Sequence, residues 1–289
     1  MCCTFTKTGV AGARRALACA ILGMLTSCAK RYPAEGLVLR VEREKQTVVI
    51  SHSEIRGYMP AMAMPFRVRD AAQLEGLVPG ARVDFQLEVG RRGTFVRNLH
   101  PRASVTEGVA DDNGRKLRLP PAPQKLSIGA EVPDFSLTDQ LSRPVRLAGF
   151  RGEVVALNFI YTRCPLPDVC PRLSAGFARL QKRFAAARDL ILLSVTLDPQ
   201  YDTPDVLARY AKIWRADSAR WHFLTGDLPE VQCVAARAGV IYWPEEGLLT
   251  HTSETAVIGR DGKLVALIEG SGYSAEQLGD LIALELEKH

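Results

Sequence analysis

The chain has 289 residues, room for one large domain or two modest ones. With 47 % hydrophobic and 24 % charged residues it has the balance of a globular protein that builds a core without needing disulfides. Its 37 basic and 32 acidic residues give a formal charge of +5, but Lys7, Arg14 and Arg15 lie in a segment expected to be removed, so the mature charge is small. No basic run is interleaved with aromatic residues, which argues against nucleic acid as a partner.

Residues 1–27 read as a signal segment. The first fifteen carry basic groups and no acid, and Ala16–Thr26 is an apolar stretch too short to span a bilayer stably. Leu25-Thr26-Ser27-Cys28 resembles the lipobox of bacterial lipoproteins, which implies a lipidated Cys28, a tether over 28–35 and a position in the cell envelope facing the periplasm. Several acyl chains on one cysteine would hold it firmly to the bilayer. Of seven cysteines, Cys2, Cys3 and Cys19 then leave with the signal and Cys28 carries lipid. Cys164, Cys170 and Cys233 remain, an odd number for an oxidising compartment.

Residues 36–102 alternate in short runs. Leu37–Val41, Thr47–Ile50, the clean alternation of Ala81–Val89 and Phe95–Leu99, separated by Gly-rich turns, predict a small all-β unit, an antiparallel barrel or sandwich. Residues 103–128 contain Pro120, Pro121 and Pro123 and a polar Asp111–Gly114 turn, and are expected to be a linker with a weak strand at Lys116–Leu119. From 129 to 289 strands and helices take turns. Strands are expected at Val154–Ile160, Leu190–Val195, Glu254–Ile258 and Lys263–Ile268. Helices are expected around Leu173–Phe184, 204–215, Pro229–Ala238 and Ser274–Glu287. That order predicts an α/β domain with a mixed sheet. Cys233 falls on what reads as a buried helix face.

Cys164-Pro165-Leu166-Pro167-Asp168-Val169-Cys170-Pro171 follows a buried strand and leads into a helix. Pro171 suits a helix start, and the unpaired N–H groups there favour a thiolate at Cys170. The pair could form a structural disulfide, exchange thiols, or share a metal. His251, just ahead of a strand, is the candidate third ligand; two thiolates and an imidazole suit copper and also zinc. Phe159-Ile160-Tyr161-Thr162-Arg163-Cys164-Pro165 with Cys170-Pro171, then Thr196-Leu197-Asp198-Pro199 with Asp202-Thr203-Pro204, then Thr250-His251-Thr252 ahead of Asp261-Gly262-Lys263, together resemble the Sco/SenC family. The resemblance implies a thioredoxin-like fold, copper held by Cys164, Cys170 and His251, Asp198 supporting the copper loop, and service to cytochrome c oxidase assembly. The departure is the spacing. Five residues separate the cysteines where the family most often has three, which bears on the recipient and on thiol chemistry.

The mature chain's three methionines all fall in Tyr58-Met59-Pro60-Ala61-Met62-Ala63-Met64-Pro65-Phe66. Methionine used as core filler scatters; thioethers gathered together suit Cu(I). Met62 and Met64 would share one face of an extended strand, and His52 stands ahead of them. The string resembles the CusF-type periplasmic copper-binding domain. That resemblance implies a second copper site at His52, Met62 and Met64, with Met59 as an optional further donor where the family carries a tryptophan. Copper handling is therefore the expected function, not catalysis. Delivery to a membrane acceptor such as a cytochrome c oxidase subunit is the leading reading. Envelope thiol–disulfide exchange and copper storage or resistance are the alternatives.

Overall fold

The computed structural model describes residues 29–91, 93–102, 125–245 and 248–288. The signal segment, Cys28 and the strand expected at Lys116–Leu119 lie outside the described residues.

Five strands make the N-terminal unit: β1 (Lys30–Glu42), β2 (Thr47–His52), β3 (Met62–Val68), β4 (Arg82–Gly90) and β5 (Gly93–Pro101). Alternate residues face inward, where Val38, Val48, Ile50, Phe66, Val68, Phe85, Leu87 and Val96 form one core. Gln46, at φ +50, supplies the left-handed residue that lets β1 turn tightly into β2. Residues 30–35, expected as a tether, instead continue β1 and pair along β4 from Lys30↔Val89 to Glu35↔Asp84. Met62 and Met64 lie on β3, the extended strand expected for them, and Met59 precedes it.

The expectation of a small antiparallel barrel or sandwich is corrected here. The pairings run round in the order β1-β2-β3-β5-β4. The seam between β3 and β5 is parallel and holds two register pairs, Arg67↔Phe95 and Val68↔Val96. The N-terminal sheet is thus not a fully laddered antiparallel barrel. It is not self-contained either. Leu37, Leu39 and Val49 point outward from it and belong to the hydrophobic core of the C-terminal unit. The uninterrupted run Leu37-Val38-Leu39 carries that signal, because a strand apolar on both faces is buried on both.

The C-terminal unit is a seven-stranded sheet in the order β14-β13-β8-β9-β10-β6-β7. Its elements are β6 (Ser136–Asp139), β7 (Pro144–Arg146), β8 (Val154–Ile160), α1 (Cys170–Arg183), β9 (Leu190–Thr196), α2 (Pro204–Trp214), β10 (Trp221–Thr225), α3 (Leu228–Arg237), β11 (Tyr242–Glu245), β12 (Leu248–His251), β13 (Glu254–Ile258), β14 (Leu264–Glu269) and α4 (Ala275–Leu286). β8, β9 and β10 are parallel, while β13, β14, β6 and β7 join antiparallel, so the sheet is mixed and thioredoxin-like. Every residue of β8 and β9 is buried, since helices cover both faces. α1, α2 and α4 pack on one face and α3 on the other. The β6–β7 and β11–β12 hairpins were not legible in the sequence. Cys233 is half-buried beside the buried Val231, Val234 and Ala235 of α3, so it is not a core thiol.

The two units meet along a defined seam. Ser51 donates to Asp280 of α4 at 2.7 Å, and Gln277 donates to the Ser51 carbonyl at 3.1 Å. Gly80, at φ +90, lies so close to β14 that a Cβ would sit 2.7 Å from the Leu267 carbonyl oxygen. Burying three aliphatic side chains across the seam contributes roughly 1.5–3 kcal/mol each.

Candidate metal centre

β8 delivers the chain to the cysteine loop, and polar contacts fix the exit. Asp202, fully buried, accepts hydrogen bonds from the Thr162 backbone N–H at 3.0 Å, from the Thr162 hydroxyl, and from the Thr196 hydroxyl at 2.5 Å. Burial pushes its carboxyl above the usual carboxylate range. One residue on, Arg163 donates to Asp198 at 2.5 Å and lies 4.1 Å over the Tyr201 ring. Asp198 therefore touches the residue next to Cys164, while Asp202 anchors the backbone two residues before it. Pro171 in the first turn lets α1 begin at Cys170, which is fully buried; Cys164 is half-buried.

His251 comes from the last residue of β12, 81 positions after Cys170. The β11–β12 hairpin is closed at its base by Ile241 and Thr252, which exchange hydrogen bonds at 2.9 and 3.0 Å. Tyr161 holds it to the cysteine side: its hydroxyl donates to the Leu249 carbonyl at 3.0 Å, and its ring meets His251 edge-on at 5.7 Å. His251 Nδ1 lies 2.8 Å from the Thr252 carbonyl, which can only accept, so Nδ1 carries the proton. Nε2 then carries the free lone pair and lies 3.6 Å from Cys170 Sγ.

The ligand atoms of Cys164, Cys170 and His251 lie within 4.8 Å of one another. Donors bound to one ion at roughly 2.0–2.3 Å stand up to ~4.5 Å apart, so a small closing of the three would seat a single ion. The two sulfurs shift one another in opposite directions. The neighbouring Cys170 thiol drops the Cys164 pKa to about 4 against the effect of burial, with His251 adding to the fall. The nearness of Cys164, together with burial, pushes the Cys170 thiol far up. Burial and the neighbouring sulfurs raise the Tyr161 hydroxyl to about 12, so it stays a donor. A soft, part-ionised S₂N set of this kind fits copper.

In the N-terminal unit, His52 lies opposite Met62, and Ile50 opposite Met64, across the β2–β3 ladder. His52 is 1 % exposed. Its Nδ1 lies 2.7 Å from the Ser53 carbonyl, which leaves Nε2 with the lone pair, buried and without a hydrogen-bond partner. A buried ring nitrogen left bare is expected to have a ligand. Met62 is 43 % exposed at the rim, whereas Met59 and Met64 are part-buried against the inner core. Tyr58 stacks on Tyr32 at 4.9 Å next to Met59.

Asp202 and Tyr161 are the supporting residues that sequence reasoning missed. Asp202 had a signal in its place beside Asp198 in one acidic motif; the contact of Tyr161 with a hairpin 88 residues away had none. His222 is a buried partner of Asp139, 3.4 Å away, far from both sulfur clusters in the strand order.

Comparison with known proteins places both units. Residues 124–285 match the family described as SCO1/SenC, and residues 31–101 match the family described as copper binding periplasmic protein CusF. The SCO1 protein homolog of Bacillus subtilis (strain 168) is 31 % identical over 140 residues, covering 47 % of this chain and 72 % of that protein. The mitochondrial SCO2 homolog of Mus musculus is 29 % identical over 158 residues, covering 52 % of this chain and 60 % of that protein. The crystal structure of a SCO1/SenC family lipoprotein from Bacillus anthracis str. Ames is similar with a TM-score of 0.50 at 25 % identity, over 55 % of this chain and 96 % of that one.

Proposed function

We propose that this chain, which belongs to the SCO1/SenC family, is a copper chaperone of the bacterial cell envelope with two copper-holding sites. The convergence of Cys164, Cys170 and His251 from three separate elements carries the reading. Copper is cargo here. The S₂N set would hold it as Cu(I) or Cu(II), and His52 with Met62 and Met64 would hold Cu(I) in the N-terminal unit, with Met59 close by. The bare, buried Nε2 of His52 supports the second site. Thioethers carry no proton and thiolates do, so the two sites differ in what must leave before the metal enters.

In this proposal Cys28 anchors the chain to the bilayer, Asp198 and Asp202 steady the cysteine loop, and the recipient is a membrane protein such as a cytochrome c oxidase subunit. The resemblance of the C-terminal unit to the Sco proteins supports that recipient. A second reading, thiol–disulfide exchange, draws on the acidic Cys164 next to Cys170: a thiolate poised to attack and a neighbour to resolve.

Anaerobic Cu(I) titration of the reduced full chain, read by X-ray absorption, tests the proposal. Two equivalents are expected, one in sulfur and nitrogen from Cys164, Cys170 and His251, and one richer in thioether. Met62→Leu with Met64→Leu keeps side-chain volume and should reduce uptake to one equivalent. Two equivalents surviving in that variant would count against the N-terminal site. A mixed disulfide trapped by copper-free Cys170→Ser would favour the exchange reading.

A further inference from the structure

Where the rim of the N-terminal unit faces the starts of α1 and α4, the seam encloses a polar cavity of about 190 Å³ that neither sulfur cluster uses. Three guanidinium groups line it: Arg82 from β4, Arg102 just beyond β5, and Arg172 from the first turn of α1. Arg102 is committed, to Asp84 and Glu35 at 2.6 Å each. Arg82 and Arg172 form no ion pair or side-chain hydrogen bond among the described residues. Arg82 is nonetheless half-buried, lying against Gly272, where a Cβ would stand 2.8 Å from its Nη1. Its burial and the nearness of Arg102 disfavour its charge by more than Glu35 and Asp84 favour it, with Arg172 adding to the repulsion, though a guanidinium does not give up its proton.

The charge at this wall is therefore unbalanced. Three guanidinium groups face two carboxylates, and the positive end of α4 adds to the excess. A partly desolvated cation next to two others is stabilised by an anion that accepts several charge-assisted hydrogen bonds. A single carboxylate is served by one guanidinium fork. Two free forks arriving from different elements, with the hydroxyls of Ser53 and Ser274 on the same wall, match the spread of oxygens on a tetrahedral group.

We propose that this cavity binds a phosphate group, with Arg82 and Arg172 as its two forks. The bound group ties β4 of the N-terminal unit to the first turn of α1, the helix that begins at Cys170, and so braces the seam. Free inorganic phosphate and the phosphodiester of a lipid head group share this chemistry.

Isothermal calorimetry on the full chain in chloride buffer of low ionic strength, with inorganic phosphate in one arm and deacylated phosphatidylglycerol head group in the other, separates the sources. Saturable binding of either is expected, and the tighter ligand identifies the source. Arg82→Gln and Arg172→Gln should each weaken it by about tenfold or more. Arg209→Gln, an exposed arginine on α2, should leave it unchanged. Arg172 is exposed, so its loss leaves the fold intact and the test stands even if Arg82→Gln disturbs the seam. No binding in either arm, or binding undiminished in both Arg82→Gln and Arg172→Gln, overturns the proposal.

Discussion

The two groups of histidine and sulfur side chains are built from opposite starting points. In each, a histidine gives its Nδ1–H to the carbonyl of the next residue, Ser53 or Thr252, and so presents Nε2. Around His52 the sulfurs are thioethers on a neighbouring strand, in register and close in sequence. Around His251 they are thiols from a loop and a helix start, joined only by the fold. Neighbouring strands bring His52 opposite Met62 with little further support. The C-terminal site draws on Asp202, Tyr161 and a closed hairpin for its geometry, and in return sets two sulfurs beside one imidazole. Uncharged, protonless donors suit capture; a thiol pair suits a hold that protons can modulate.

Removing the thiols should test the independence of the two clusters most severely. Cys164→Ser with Cys170→Ser is expected to weaken the C-terminal site by about three orders of magnitude, because hydroxyls are poor donors to a soft ion. The equivalent at His52 should remain. Loss of both equivalents on titration would mean that the clusters act as one.

Next in size is a contrast of buried acids. Glu254, three residues after His251, is 5 % exposed, with one lysine, Lys125, 3.8 Å away. Desolvation raises its pKa from 4.5 to about 9. Between those values the folded chain holds a proton that the unfolded chain has lost, so stability falls as pH rises from about 4.5. Glu254→Gln should therefore stabilise by about 2–3 kcal/mol at pH 7 and have no effect below pH ~4.5, measured by urea unfolding at both pH values. Glu88 in the N-terminal unit has the opposite sign. Its hydrogen bond from Arg97, with Arg69 and Arg31 nearby, overcomes burial and lowers its pKa. Its contribution is present above the unfolded pKa and lost as pH falls through the folded one, so Glu88→Gln should destabilise at neutral pH. A Glu254→Gln chain that is less stable at pH 7 would show that the carboxylate is better solvated than its burial implies.

The smallest effect expected is at Tyr161. Tyr161→Phe removes one part-buried hydrogen bond to the hairpin bearing His251, worth about 1 kcal/mol. Copper affinity at the C-terminal site should fall by less than about tenfold, with the His52 site unaffected. An unchanged C-terminal affinity would mean that the hairpin is held by its own base at Ile241 and Thr252.

How much was legible varied with how local the information was. Strands β8, β9, β13 and β14 and helices α1 to α4 stand close to where periodicity put them, because each buries a face recorded in its own residues. The cysteine pair and the histidine and methionines of β2 and β3 are motifs within short windows. The β11–β12 hairpin was missed because its Trp243-Pro244-Glu245 and Leu248-Leu249-Thr250 lack clean alternation; what holds it is Tyr161, far away in the chain. The parallel β3–β5 seam was missed for a related reason. Alternation tells which face of a strand is apolar and says nothing about the direction of its neighbour.

By itself the sequence determined the principal strands and helices, the donor types and the separation into two units, since propensity, alternation and side-chain chemistry are properties of short segments. Only the tertiary structure decided that His251 meets Cys164 and Cys170, that Asp202 anchors their loop, and that Leu37, Leu39 and Val49 bind the units into one body with an arginine-lined cavity between. Those facts depend on which surfaces meet, and surfaces meet to bury apolar area wherever shape allows, whatever the distance along the chain.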